Sequence, residues 1–176
     1  SIAASPNLKG ELQIVFRAGL SGYKKTLVEM KPGEGVQFSG PYGSLSLPNN
    51  ISQQIILVAG GIGVAPFASM IRYSAENKTG HKISLIYADT VEKEMTYLNE
   101  FRQIEKDNSN FKLSCILGKL KEIKLKMSIN GYVAVKPIWM VIGPEGFVNF
   151  ISKYLINHKV PLSDIIFEQF YPKINY

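Results

Sequence analysis

The sequence has 176 residues, 45% hydrophobic and 19% charged, which is an ordinary foldable composition for one full domain or two small ones. Its single cysteine, Cys115, excludes an internal disulfide and any cysteine-built iron–sulfur or zinc centre, and its two distant histidines, His81 and His158, argue against a histidine metal site. The net charge of +6 comes almost wholly from scattered lysines; it fits a solvated surface or an encounter with an acidic electron carrier, and nucleic acid is not an expected partner.

The first residue is Ser1, and no basic segment with an apolar run follows it, so a secretory signal is not expected and the cytoplasm is the expected compartment. The start reads as a cut through a longer chain. Glu11 to Arg17 alternates, with Leu12, Ile14 and Phe16 on one face, and predicts a strand. Ser21 to Met30 predicts a short helix closed by the turn Lys31-Pro32-Gly33-Glu34. Val36-Gln37-Phe38 predicts another strand, stopped at Gly40-Pro41-Tyr42-Gly43, so the chain up to Pro48 is expected to be β-rich. No charged residue lies between Glu34 and Arg72, but Gly60, Gly61, Gly63 and Pro66 break the apolar run and make a membrane span untenable.

After Asn49-Asn50 the pattern changes. Ile55 to Ala59 reads as a strand buried on both faces, and Pro66 to Asn77 as a helix with its proline at a tolerated early position. Lys82 to Ala88 is a second strand, and Thr90 to Lys106 a helix with Thr90 as N-cap. Phe111 to Leu117 is a third strand, with Cys115 expected as a buried small hydrophobe. Residues 118–137 are poorly patterned. Ile138 to Ile142, headed by a core Trp139, is a fourth strand, Glu145 to His158 a helix, and Ile165 to Phe170 the last strand. This alternation predicts an α/β fold, a Rossmann-like parallel sheet covered on both faces. Ligands bind such sheets beyond the carboxyl ends of their strands, which singles out Gly60–Pro66, Tyr87–Thr90 and Gly143–Gly146.

Gly60-Gly61-Ile62-Gly63-Val64-Ala65-Pro66 leads from strand to helix. Its glycines allow a sharp turn and a close ligand approach, and the helix start behind them suits a pyrophosphate. It is not the G-x-G-x-x-G fingerprint, because Pro66 replaces the last glycine, and it is not a Walker loop. It resembles the nucleotide motif A-G-G-x-G-x-[TA]-P of the ferredoxin–NADP reductase family. Leu27 to Glu34 resembles that family's L-x-x-L-K-P-G-D stretch, and Ser39 to Gly43 its S-G-P-[FY]-G turn. Val141 to Val148 is similar to its C-G-P-P-G-[FM]-V element, and Glu168-Gln169-Phe170 to its C-terminal E-x-F.

The resemblance covers essentially the whole chain and implies two domains. Residues 1–50 would be the C-terminal part of an FAD-binding antiparallel β-barrel, completed by a missing N-terminal segment or a partner chain. Residues 51–176 would be the NAD(P)-binding domain. Ser1 matches the first serine of the family's R-x-Y-S-x-x-S flavin motif, and Lys24, Lys25 and Thr26 fall where relatives face the flavin pyrophosphate. The implied nucleotide contacts are Gly60, Gly61, Gly63, Val64, Ala65, Pro66, Gly143, Pro144, Glu145 and Gly146. Tyr87 and Asp89 stand where the family selects its nucleotide; Asp89 favours NADH over NADPH, against which Lys93 counts. Ile142 replaces a cysteine often set beside the nicotinamide, Glu168 and Phe170 would line the nicotinamide–flavin contact, and Tyr171 and Tyr176 are candidates to cover the flavin. The implied activity is a flavin-dependent NAD(P)H oxidoreductase passing electrons to an acceptor the sequence does not name. The alternative is a nucleotide-binding or assembly subunit without flavin of its own.

Overall fold

The computed structural model describes residues 1–19, 21–40, 42–43, 45–118 and 121–170. Tyr171, Tyr176 and the side chain of Phe170 lie outside that description. The apolar runs after residue 50 become strands β1 (Ile55–Gly60), β2 (Ile83–Asp89), β3 (Phe111–Leu117), β4 (Ile138–Pro144) and β5 (Ile165–Phe170). The helices are α1 (Gly22–Glu29), α2 (Ala65–Glu76), α3 (Leu98–Asp107), α4 (Lys121–Val133) and α5 (Glu145–Asn157).

All strand pairs are parallel, in the order β3-β2-β1-β4-β5. β1 is central: Ile55 stands opposite both Ile83 and Ile138, and Ala59 opposite both Tyr87 and Ile142. The chain winds outward from β1 to β3 and then returns to β4 on the other side, so the topological switch lies between β1 and β4. Alternate residues of β1 feed different layers, as the period-2 geometry of a strand requires. Ile55, Leu57 and Ala59 pack with Phe67 and Ile71 of α2 and Phe101 of α3. Ile56 and Val58 pack with Leu125 and Ile129 of α4, Val148 and Ile151 of α5, and Trp139, which is fully buried as expected. No described helix is long and apolar enough to cross a membrane.

Several elements depart from the sequence expectation. Residues 90–97 are not helical apart from one 3-10 turn at Glu92–Glu94, and α3 begins at Leu98 after Tyr97, whose φ is +65°. Thr90 is no N-cap, because its N–H and hydroxyl are both donated to Asp89 Oδ1, at 2.7 and 3.3 Å, which ties it to the end of β2. Helix α4 occupies the unassigned stretch, where its apolar stripe is thin: Leu125 and Ile129 are buried while Met127 is 72% exposed.

The expected barrel remnant is not formed among the described residues of 1–50. Helix α1 is present, its N-terminus capped by Ser21, which accepts from the Lys24 N–H. The stretches Glu11–Arg17 and Val36–Phe38, however, carry only one isolated antiparallel bridge, Ile2 to Ile14. A strand exists only through its ladder partners, and without them Leu12, Ile14, Val36 and Phe38 are left exposed.

Cys115 also corrects an expectation, since it is exposed. It sits on β3, which among the described residues pairs with β2 alone and stands at the edge of the sheet. Its thiol is nonetheless raised above the ordinary cysteine range by partial desolvation. Native protein is therefore expected to consume one equivalent of a disulfide reagent without denaturant, at a rate that climbs as pH rises through the alkaline range. Absorbance of the released thiolate measures both.

Candidate functional site

The site follows from the glycines at the switch point. Strand β1 ends in Gly60, and Gly61 takes φ +56°, a left-handed turn that strains any other residue; a 3-10 turn over Gly61–Val64 then feeds α2, with Pro66 in its first turn. A Cβ on Gly63 would lie 2.4 Å from the carbonyl oxygen of Ile142, and one on Gly143 3.2 Å from Cα of Gly60. The ends of β1 and β4 thus meet backbone to backbone, and the Phe147 ring covers the junction, 2.8 Å from where a Cβ on either Gly60 or Gly143 would sit.

Above this junction opens a cleft of about 800 Å³. Its floor is Gly60, Gly61, Ile62 and Ala65. One wall is Pro144 to Phe147 at the start of α5, and a second is Ala88 to Thr90 at the end of β2. The N-terminal segment supplies the remaining wall through Ser1, Val15 to Arg17, and Lys24. Arg17 reaches across to Asp89 Oδ2 at 3.5 Å and Glu94 at 3.3 Å. Asp89 is buried, with only 4% of its side chain exposed; its Oδ2 accepts no hydrogen bond and faces the Arg17 guanidinium at 3.5 Å beside the cleft. Arg17 and Lys24 give this cleft two cations, to which the positive dipole end of α2 adds, a setting suited to a diphosphate.

The cleft gathers Ser1, Lys24, Gly60, Gly61, Ala65, Asp89, Pro144, Glu145 and Gly146 of the expected residues. Others stand elsewhere. Gly63, Val64, Ile142 and Gly143 are buried beneath the floor, where they set the junction rather than face a ligand. Pro66 is half-buried in α2, and Lys25 and Thr26 lie on the exposed side of α1, Thr26 Oγ1 donating to the Gly22 carbonyl. Tyr87 belongs to the core with none of its surface exposed; burial first, then the Asp89 carboxylate, push its phenol upward, so it stays neutral. Lys93 does not line this cleft. Glu168 is exposed and in register with Ile142, and Phe170 is in register with Pro144, at the carboxyl ends of β4 and β5.

Arg17 and Phe147 are the residues the sequence reading missed. Arg17 terminates a stretch read as a barrel strand, and only the folded topology brings it to Asp89. Phe147 lies within the Val141–Val148 element, where an aromatic next to Gly146 is the available signal.

A family model described as an oxidoreductase NAD-binding domain matches residues 57–153. Flavohemoprotein A of Dictyostelium discoideum is 28% identical over 83% of this chain and 38% of its own length. The toluate 1,2-dioxygenase electron transfer component of Pseudomonas putida is 25% identical over 92% of this chain and 50% of its own. NADH-cytochrome b5 reductase 2 of Mycosarcoma maydis is 28% identical over 92% and 41%. The chain therefore spans about half the length, or less, of these curated relatives. Among solved structures, ferredoxin-NADP+ reductase from Plasmodium falciparum with 2'P-AMP superposes with a TM-score of 0.75 at 18% identity, over 97% of this chain and 75% of that one. The ferredoxin reductase in carbazole 1,9a-dioxygenase superposes with a TM-score of 0.74 at 18% identity, over 97% and 54%. The chain belongs to the oxidoreductase NAD-binding domain family and has the ferredoxin–NADP reductase-like fold of its nucleotide-binding half.

Proposed function

We propose that this chain is the nucleotide-binding portion of a flavin-dependent NAD(P)H oxidoreductase, residues 51–176 holding the dinucleotide and residues 1–50 belonging to the flavin-binding domain. The cleft at the β1/β4 switch carries this reading: it joins a glycine-rich floor, a helix start, two cations and a carboxylate in one place. Those residues fit NADH. Gly61 lets the backbone approach the diphosphate, Arg17 and Lys24 balance its charge, and Asp89 accepts from a ribose hydroxyl. The flavin fits less completely, since Ser1 and Lys24 reach the cleft while Lys25 and Thr26 do not. Bound FAD supplies hydride acceptance and stepwise electron release. The protein's part is orientation and exclusion of water, with the end of β5 at Glu168 and Phe170 framing the nicotinamide end and Ile142 buried beneath the floor as its support. Relatives named as an electron transfer component and a monooxygenase reductase support onward transfer to a redox partner, and a net charge of +6 favours an acidic one.

The test is calorimetric titration of the protein with NADH, with absorbance near ~450 nm reporting retained flavin. Saturable binding is expected, weakened about 5–10-fold by Arg17→Ala, as loss of one charge-assisted contact to a diphosphate implies. Absence of NADH binding would overturn the reading. A colourless protein that binds NADH through Arg17 is the result expected of a nucleotide-binding subunit without flavin of its own.

A further inference from the structure

Arg72 lies outside the cleft, in the second turn of α2, and the proposed chemistry does not use it. Its side chain is 14% exposed. Nε and Nη2 donate to the two Glu100 carboxylate oxygens at 2.6 and 2.7 Å, a bidentate fork onto α3. Nη1 points the other way and donates to the Ala3 carbonyl at 2.6 Å and to Gln13 Oε1 at 3.3 Å. The guanidinium plane covers the Tyr97 ring, 4.3 Å from its centroid.

These partners flank the N-terminal wall of the cleft. Ala3 lies two residues from Ser1, and Gln13 two residues before Val15, while the Ala3 N–H donates to the Gln13 carbonyl at 2.8 Å and joins the two anchor points. One helical turn beyond Arg72, Glu76 accepts from Ser5 Oγ and from Asn7 Nδ2, and Ala3, Ala4 and Ser5 are all buried. The opposite end of α2 is the glycine turn that forms the cleft floor. Arg72 also stacks on Tyr97, a bulky residue at φ +65°, where the backbone costs energy unless its surroundings enforce it. Tyr97 ends the loop that carries Glu94, the second partner of Arg17. A single rigid helix therefore touches both sides of the cleft, and one guanidinium fork grips the side that belongs to residues 1–17.

We propose that Arg72 is a positioning residue: it fixes the wall formed by Ser1 and Val15–Arg17 relative to the Gly60–Gly61 floor and so aligns the two halves for transfer. The alignment role rests on the proposed nucleotide function of the cleft, whereas the clamp itself rests on geometry alone. Lysine cannot replace it, because an ammonium group lacks the planar fork that serves Glu100 and Ala3 together.

The test is hydrogen exchange on the full chain for Arg72→Lys and Arg72→Gln, with Glu100→Gln as a milder variant, alongside NADH titration and stopped-flow reduction of the flavin-loaded protein. The amide of Ala3, held by the Gln13 carbonyl, and those of the buried Ala4 and Ser5 are expected to exchange about tenfold faster in both Arg72 variants, and less so in Glu100→Gln, while β1 and β4 stay as in the parent. NADH affinity is expected to change less than about threefold while hydride transfer at saturating NADH falls about tenfold, a KM-against-kcat split that general destabilisation does not produce. Unchanged exchange at residues 3–5, faster exchange spread through the whole sheet, or full rescue by lysine overturns the clamp. An intact exchange pattern with a parent protein that does not bind NADH overturns the proposed function instead.

Discussion

Gly63→Ala is expected to lower the thermal midpoint of unfolding by roughly 6–12 °C, from a cost near ~3 kcal/mol or more in a chain of this size. The added methyl would sit 2.4 Å from the Ile142 carbonyl oxygen, 2.7 Å from its carbon and 3.0 Å from the Gly143 nitrogen. All three are backbone atoms of β4, held by ladders to β1 on one side and β5 on the other, so none can move without breaking the centre of the sheet. The neighbouring glycines calibrate this claim. A methyl on Gly60 meets the ring of Phe147 at 2.8 Å, a half-buried side chain that can swing into the cleft, so Gly60→Ala is expected to weaken NADH binding more than it lowers the midpoint. A methyl on Gly146 meets nothing within 4 Å, and its midpoint is expected to stay within about 2 °C of the parent. Scanning calorimetry of the three variants checks the order. A Gly63→Ala protein as stable as the parent would mean that the strand ends are farther apart than the structure places them.

The contrast between these glycines also shows what a sequence can and cannot disclose. β3 and β5 match their expected bounds, because a continuous apolar run between turn residues is a local property that burial in a parallel sheet then uses. That the glycine-rich segment marks a site is legible for the same reason. Which of its glycines face a ligand is not, since Gly63 and Gly143 are required by a contact between segments some eighty residues apart. α3 begins at Leu98, and Thr90 is held instead by its neighbour Asp89 at the end of β2, a local side-chain contact that competes with a capping role. Residues 1–50 are the least legible: alternation at Leu12, Ile14 and Phe16 marks a strand only where a neighbouring strand pairs with it, and the described residues supply only the Ile2–Ile14 bridge. Arg17 shares that fate. Its partners, Asp89 and Glu94, lie on the far side of the sheet in sequence, and no spacing rule connects them.

Asp89→Asn is expected to shift the preference between NADPH and NADH by about 10–100-fold toward NADPH. In the parent, Oδ1 is occupied by Thr90, whereas Oδ2 accepts no hydrogen bond and lies 3.7 Å from the position of a Cβ on Gly61, at the cleft floor. A ribose diol can donate to Oδ2 once Arg17, whose side chain is 55% exposed, swings aside and uncovers it. A 2′-phosphate meets a buried negative charge instead, a repulsion of about 2–3 kcal/mol per unit charge at ~6 Å and an effective dielectric near ~20. Arg17 offsets part of this, but it is half exposed and shared with Glu94, so screening and competition limit its help. Asparagine keeps the Oδ1 acceptor for Thr90, removes the charge, and turns the second position into a donor. NADH therefore loses a partner while NADPH loses a repulsion, and both changes move the ratio in one direction. Glu94→Gln is the control: it releases Arg17 from its second partner without touching Asp89, and the ratio is expected to move less than about threefold. Parallel titrations of both dinucleotides against parent and variants measure these ratios. An unchanged ratio in Asp89→Asn would place the adenosine ribose away from the end of β2 and transfer the choice of nucleotide to another wall of the cleft.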